Sequence, residues 1–482
     1  MRPLVVIRYV GMILLIIVGF LVVAGIVSCY GGADQSTLPL FFSAFIGLLV
    51  GIFPLLFIKG VPSITRREGY AIVVFAWLVA CIFGCLPYLL FSEDFNLINS
   101  LFESVSGFTT TGASIIDDIE ALPDGLLFWR MSTSWIGGIG VVMFALLILP
   151  SMRGVGSTLS DMEMSAIAKD NYHTTKRRSI VQLLIITYCV LTSVAAVSLH
   201  LAGMDWFDAI CHAMSSCSSC GFSTKNASIA AFNSPAVECV IMVFMVCAGI
   251  HFGVFLSALT GRGSVRGLSS SLKTYLLFML VVGLAISVNL WYEGIYHTFL
   301  GSLRRGFFHV ISLTTTTGFA ITDTNIWPAF CVVLLTICSL ICACSGSTTG
   351  GIKIDRMVIM AKSVQVRILQ QRNPNRFYSV RLDGRSVSQD KVEDALNFIA
   401  VYMLLVAVGC LCFTGFGNDL QTSFSAAVAC LGNVGPGFSK VGSMNNYATL
   451  NAATKAVGIM LMFLGRLEIF EILQLFYSHR NE

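Results

Sequence analysis

Apolar runs of about 20 residues, broken by short polar stretches, follow one another along almost the whole chain. At 1.5 Å per residue, a run of that length crosses the hydrocarbon core of a bilayer as a helix. The pattern predicts an N-terminal pair of spans over 5–29 and 38–58. After it a unit of long, short and long apolar segments recurs four times. The first unit is 70–90, 97–109 and 126–149, and the second 180–202, 206–218 and 237–259. The third is 275–296, 299–315 and 327–359, and the fourth 395–416, 423–431 and 452–476. That makes ten spanning helices and four half-length ones. A segment of about 13 residues covers only roughly 20 Å as a helix, so it must return to the side it entered. Irregular backbone at membrane depth survives only where protein or water covers it. Four such segments therefore predict an all-α polytopic membrane protein with four helix–pore-loop–helix repeats around one pore, plus the N-terminal pair. The corresponding units are 1–68 (helix pair), 69–175, 176–270 and 271–365 (repeats 1 to 3), 366–392 (a polar linker) and 393–482 (repeat 4).

Composition changes this picture little. Of 482 residues, 56% are hydrophobic and 12% charged, against about 25% charged in soluble domains, and the mean hydropathy is +0.81. The first run is too long for a signal peptide and lacks a small-residue cleavage site. The 16 cysteines lie mostly in apolar segments and read as small buried thiols rather than a disulfide framework. Charge orients the chain. With both termini cytoplasmic, 23 of the 30 Lys and Arg residues fall in inner segments, 6 outside, and Arg466 within a span. This follows the positive-inside rule. The 366–394 stretch, which includes Arg372, Arg376, Asp383 and Arg385, then lies in the cytoplasm, as a solvated loop or a docking surface for a soluble regulator.

Each short segment ends in a polar string with a glycine. The strings are Thr110-Thr111-Gly112, Ser219-Cys220-Gly221, Thr316-Thr317-Gly318 and Asn433-Val434-Gly435, the last continuing as Pro436-Gly437. Their glycines stand 109, 97 and 117 residues apart, a repeat of the whole unit. Val-Gly-x-Gly is the core of a filter loop in which backbone carbonyls replace the water around an ion. The strings offer carbonyls, hydroxyls and no carboxylate, which suits a dehydrated potassium ion better than a calcium or sodium site built on a carboxylate ring. The short helices point their carbonyl ends at the strings and favour a cation. Asp117, Asp118, Glu120, Asp205, Asp208 and Asp323 lie near the mouth, where they either attract cations or form a solvated face. Cys217 and Cys220 have the spacing of a metal pair but no companions in sequence. His212 and His309, each nine residues before its glycine, read as packing or hydrogen-bonding residues.

A second glycine series, Gly138, Gly249, Gly346 and Gly465, follows the first by 26, 28, 28 and 30 residues. In repeat 3 it opens the string Gly346-Ser347-Thr348-Thr349-Gly350-Gly351, a poor helix on entropy and hydrogen-bond competition. This predicts a break and a mobile intramembrane loop. In repeat 4 it precedes Arg466, placed mid-span, where a charge persists if it faces water or a partner. Arg466 reads either as an electrostatic barrier on a cation path or as an anchor for Glu468 or Glu471.

Four helix–loop–helix repeats in one chain, each with one glycine string, resemble the Trk/Ktr/HKT superfamily of potassium transporters. The extra helix pair, the Gly-rich loop at 346–351 and the place of Arg466 are similar to its bacterial TrkH/TrkG branch. The resemblance covers essentially the whole chain. It implies potassium binding at the glycine strings, a gate made of residues 346–351 and Arg466, a homodimer, and a bacterial inner membrane. It also implies a cytosolic nucleotide-binding ring partner of the TrkA type. The chain has no P-loop or Rossmann fingerprint of its own and implies no cofactor beyond potassium as substrate. Two mechanisms stay open, a channel and a symporter coupled to protons or sodium. A different class, an intramembrane enzyme, would need a nucleophile or metal constellation, and neither a His-Glu-x-x-His helix nor an intramembrane Asp pair is present. A membrane scaffold would leave Arg466 without a purpose.

Overall fold

The computed structural model describes residues 2–30, 32–58, 65–93, 95–147, 175–255, 269–467 and 469. These residues are mostly helical. The N-terminal pair is α1 (Pro3–Tyr30) and α2 (Thr37–Phe57). The two helices approach closely because Gly11 of α1 sits against the Gly51 carbonyl of α2, where a methyl group would fall 2.8 Å from the oxygen. Such small-residue contact is the usual way helices pack in lipid. Repeat 1 contains α3 (Arg66–Phe91), the short α4 (Leu97–Phe108) and α5 (Asp124–Leu147). Repeat 2 contains α6 (Thr175–Leu201), the short α7 (Trp206–Ser218) and α8 (Pro235–Gly249). Repeat 3 begins with α9 (Ser270–Tyr292), the short α10 (Phe299–Thr314) and α11 (Ala329–Leu340), and after a loop continues as α12 (Ile354–Arg372). Repeat 4 contains α13 (Gln389–Gly415), the short α14 (Leu420–Gly432) and α15 (Ala452–Arg466).

Six of these helices (α1, α2, α3, α6, α9 and α13) are long and apolar enough to cross a membrane. Their outer faces carry large apolar side chains open to the surroundings, among them Leu38, Leu56, Val190, Leu277 and Leu404. An apolar exterior of this extent is not stable in water, and the chain is an integral membrane protein. The short helices lie inside. Phe102, Phe108, Phe308 and Leu431 are buried on them, and Leu431 packs in one cluster with Phe102 and Phe108.

Several sequence expectations are corrected. The second helices of repeats 2, 3 and 4 are not continuous. They stop at Gly249, Leu340 and Arg466. In repeat 3 the chain leaves the helix for a parallel pairing of β1 (Ile341–Cys342) with β2 (Ile352–Lys353), and residues 343–351 form the loop between them. The break is therefore wider than the six residues read from composition. Arg466 is not mid-helix but the last residue of α15. The polar linker is not simply a loop: α12 runs to Arg372, and β3 (Arg381–Leu382) pairs antiparallel with β4 (Arg385–Ser386). Its turn is Asp383-Gly384, both at positive φ, the preferred chemistry for a two-residue hairpin. Asp383 accepts hydrogen bonds from the amide and hydroxyl of Ser270, tying the hairpin to the start of α9. Arg130, Lys353 and Lys455, counted among the charges outside the spans, are buried.

Candidate functional site

The four short helices are built alike at both ends. Each starts on a side-chain cap: Asn96, Asp205, Thr298 or Asp419 accepts an amide hydrogen bond from the first turn. This satisfies donors that the helix itself cannot. Each ends on the same six-residue closure, in which the amides of Thr111, Cys220, Thr317 and Val434 donate to the carbonyls of Ser106, Ser215, Ser312 and Ala429 at 2.8–3.0 Å. That closure is a Schellman ending, which requires a left-handed residue one place earlier. Thr110, Ser219, Thr316 and Asn433 take it, with φ of 51°, 60°, 52° and 53°. Two residues further on, Gly112, Gly221, Gly318 and Gly435 are left-handed again, with φ of 79°, 83°, 81° and 93°. Positive φ at alternate residues aims successive carbonyls to one side instead of alternating them as a strand does.

The glycines then close a ring. A Cβ on Gly112 would overlap the carbonyl oxygen of Cys220, one on Gly221 that of Thr317, and one on Gly318 that of Val434. A Cβ on Gly435 would come within 2.6 Å of the Thr111 oxygen. Each loop thus seats its glycine on the carbonyl before the next loop's glycine, in chain order, and the fourth returns to the first. The four glycines and the residues before them meet here, and Asn433 reaches Thr111 through its Nδ2. The C-termini of α4, α7, α10 and α14 lead directly into the ring, so their dipoles add negative potential at it. The Oγ1 of Thr110 and the Oδ1 of Asn433 are buried without a hydrogen-bond partner within the protein.

One side of the ring opens to a cavity of about 170 Å³, lined by all four glycines and by Asp117, Asn226 and Asn446 among others. Its rim is held by hydrogen bonds between repeats. Asn226 donates to Asp118 and receives from Ile119 through its Oδ1, and Asn446 donates to Asp117. Asp205 and Asp323 cap helices, and Asp208 pairs with Lys225 at 3.3 Å. Of the six acidic residues near the mouth, Asp117 alone lines this cavity.

The opposite side is closed by residues 346–351. Thr348 Oγ1 lies 2.6 Å from Ser219 Oγ, and the Gly350 amide donates to Thr316 Oγ1 at 3.1 Å. A Cβ on Gly350 would overlap the Gly432 carbonyl and approach Asn433. Ser347 and Thr349 share a hydroxyl contact of 2.7 Å, while Gly346 and Gly351, both at positive φ, press on His251 and Cys342. The loop therefore touches the left-handed residues of loops 2, 3 and 4. Arg466 fastens it: its Nη1 donates to the Thr348 carbonyl at 2.7 Å and its Nη2 to the Gly137 carbonyl at 3.2 Å, while its Nε is buried without a partner. The carboxylates considered as its anchors, Glu468 and Glu471, lie outside the described residues.

Some participants are not visible in the strings. Lys353 is buried and donates to the Thr349 carbonyl and hydroxyl. Asn433 Nδ2 bridges Thr111 Oγ1 and the Met462 carbonyl, and Tyr447 Oη donates to the Gly435 carbonyl at 2.9 Å. Arg130 and Glu103 form a buried ion pair of 2.6 Å behind loops 1 and 2. A register signal for Glu103 exists, since it stands nine residues before Gly112 as His212 and His309 do before their glycines. Cys217 and Cys220 are free thiols, and no cluster of metal-binding side chains occurs among the described residues.

Comparison with known proteins gives the arrangement a family. Residues 40–286 and 299–481 match the family described as TrkH, cation transport protein. The chain is 34% identical over 475 residues to the Trk system potassium uptake protein TrkH of Salmonella typhimurium, covering 97% of each. It is 35% identical over 418 residues to the Trk system potassium uptake protein TrkG of Escherichia coli, covering 86% of this chain and 85% of that one. The crystal structure of the potassium transporter TrkH from Vibrio parahaemolyticus superposes with a TM-score of 0.90 at 29% identity, covering 98% of both chains. By these matches the chain belongs to the TrkH family of cation transport proteins.

Proposed function

We propose that this chain takes up potassium as part of a Trk system, moving the ion through the glycine ring and catalysing no covalent reaction. The observation that carries the reading is the cyclic seating of each glycine on the next loop's carbonyl. A cation entering the ring sheds water and recovers oxygen contacts from the carbonyls around Thr111, Cys220, Thr317 and Val434, with Thr110, Ser219, Thr316 and Asn433 below them. Neutral oxygens bind potassium without trapping it. The relatives are potassium uptake proteins, which supports potassium as the substrate.

In this reading the ten-span arrangement holds, with the 69–175, 176–270, 271–365 and 393–482 units each contributing one pore loop and 1–68 packed outside them. Residues 346–351 act as the gate, and Arg466 holds it shut. A guanidinium about 4 Å from a dehydrated cation opposes it by about 4 kcal/mol at an effective dielectric near 20. The protein sits in a bacterial inner membrane with both termini in the cytoplasm, as a homodimer. The basic α12 and the hairpin after it then face the cytoplasm, where a nucleotide-binding ring of the TrkA type can dock and pull on the loop through α12.

The test is the reversal potential of purified protein in liposomes with potassium, sodium and proton gradients imposed separately. Reversal that follows potassium alone supports a channel, and reversal that also follows protons or sodium replaces it with a coupled symporter. No potassium dependence at all would overturn the reading.

A further inference from the structure

We infer that a buried clamp behind loops 1 and 2, made by Glu103, Arg130, His212 and Ser223, fixes the carbonyl positions of the ring and so sets its ion selectivity. The inference rests on the potassium reading above and adds positioning residues to it. The register that exposes the clamp is nine residues before each ring glycine and two after. In repeat 1 these positions hold Glu103 and Ser114, whose hydroxyl lies 3.2 Å from both Glu103 oxygens. Glu103 also accepts the Ile115 amide at 3.0 Å. In repeat 2 they hold His212 and Ser223. The Nδ1 of His212 lies 2.8 Å from the Asp208 carbonyl, which can only accept, so Nδ1 carries the proton. Its Nε2 is then an acceptor, 2.9 Å from the Ser223 hydroxyl that donates to it.

Arg130 joins the two halves. Its Nε pairs with Glu103 at 2.6 Å, its Nη1 donates to the Ser223 carbonyl at 2.8 Å, and its guanidinium stacks 3.7 Å above the Phe222 ring. Both charges are wholly buried, with Arg130 1% and Glu103 0% exposed. The pair reaches the exit of loop 1 and the exit of loop 2 at once, each within two residues of a ring glycine.

Repeat 3 lacks this device. The Nδ1 of His309 likewise lies 3.0 Å from the Arg305 carbonyl, but its other partner is the Thr322 backbone and not a side-chain hydroxyl at the exit of its loop. The residue in the register of Ser223 is Ala320, which has no hydroxyl. Repeat 4 has Ala426 and Gly437 at the two positions. Loops 3 and 4 are held by neutral hydrogen bonds instead: Ser312 donates to the Phe319 carbonyl at 2.7 Å, Ser425 bonds both the amide and the carbonyl of Phe438, and Tyr447 donates to the Gly435 carbonyl, so the buried ion pair is what sets loops 1 and 2 apart. Charge-assisted hydrogen bonds are roughly twice as strong as neutral ones, so the carbonyls of loops 1 and 2 are the ones best held in place against a smaller ion.

Ser223→Ala gives loop 2 the condition of loop 3, and Ser223→Thr restores the hydroxyl. Glu103→Gln keeps a hydrogen-bonding oxygen and removes the ion pair. The experiment measures the potassium-to-sodium permeability ratio of each protein in liposomes, beside its thermal melting. The ratio is expected to fall by about fivefold in Ser223→Ala, the scale of one hydrogen bond, and to recover in Ser223→Thr. A larger fall is expected in Glu103→Gln. A merely structural role would lower melting and yield and leave the ratio of the surviving protein unchanged, and that result overturns the inference. If Glu103→Gln does not fold, Ser223→Ala and its threonine rescue decide alone. A wild-type protein without discrimination would instead overturn the potassium reading itself.

Discussion

Replacing Arg466 by alanine removes the buried charge proposed above to hold the gate shut, and its consequence can be worked out from three atoms. Nη1 is 2.7 Å from the Thr348 carbonyl and Nη2 is 3.2 Å from the Gly137 carbonyl, so one side chain of α15 ties the 346–351 loop to α5. Its Nε has no partner, so the group is held by two carbonyls and no counter-ion within hydrogen-bond reach among the described residues. A cation passing about 4 Å away meets a barrier of about 4 kcal/mol at an effective dielectric of 20. At about 1.36 kcal/mol per decade, that is a several-hundredfold retardation. Water entering an opened site screens most of it, so the gain from Arg466→Ala belongs to the closed state. Potassium uptake by liposomes without any regulator is the assay, read beside thermal melting. Basal uptake is expected to rise by at most about three orders of magnitude, and Arg466→Lys, which keeps the charge, to stay near wild type. Charge-assisted hydrogen bonds contribute about 1.5–3 kcal/mol each, so some fall in melting temperature accompanies the alanine variant. A fall in melting without any gain in uptake would refute the barrier and leave Arg466 as a strut.

Gly112→Ser and Gly435→Ser place a side chain on residues at φ of 79° and 93°, facing the carbonyls of Cys220 and Thr111. Both should lower the potassium-to-sodium flux ratio, Gly112→Ser more because its contact is the tighter, and unchanged ratios in both would remove the ring from the ion path. Deleting residues 346–351 should raise basal potassium flux in protein that still assembles, and wild-type flux in a folded deletion would place the gate elsewhere. Thr110→Val removes a buried hydroxyl that has no partner in the protein while keeping the side-chain shape. Potassium affinity, read as the half-saturating concentration for uptake, should weaken severalfold with melting unchanged; a melting change with unaltered affinity would make the hydroxyl structural.

What the sequence determined by itself was periodic and local. Hydropathy measures how a segment meets lipid, so the N-terminal pair, α3, α6, α9 and α13 were legible as spans. Length alone marked α4, α7, α10 and α14 as too short to cross. The four glycines were legible because a left-handed residue in close contact leaves little choice of side chain. The poor helix at Gly346–Gly351 was legible for a related reason, since three glycines and three hydroxyl residues deny a helix both rigidity and undivided hydrogen bonds.

Hydropathy averages over a window, however, and so passes smoothly across Gly249 and Leu340, where the helices end. It also could not separate a charge at a membrane surface from one buried in a pair. Arg130 counts as an outer loop charge until Glu103, 27 residues away, and the Ser223 carbonyl, 93 residues away, are brought to it. Lys353 counts as cytoplasmic until the β1–β2 pairing folds it beneath Thr349. The left-handed Thr110, Ser219, Thr316 and Asn433 carry no shared residue type, because the Schellman closure and the packing of the ring impose their conformation. The order of the ring belongs to tertiary structure as well. Four similar loops can be listed from the chain, but only the contact of each glycine with its neighbour's carbonyl decides which loop follows which, and contacts between residues a hundred or more positions apart leave no periodic trace in sequence.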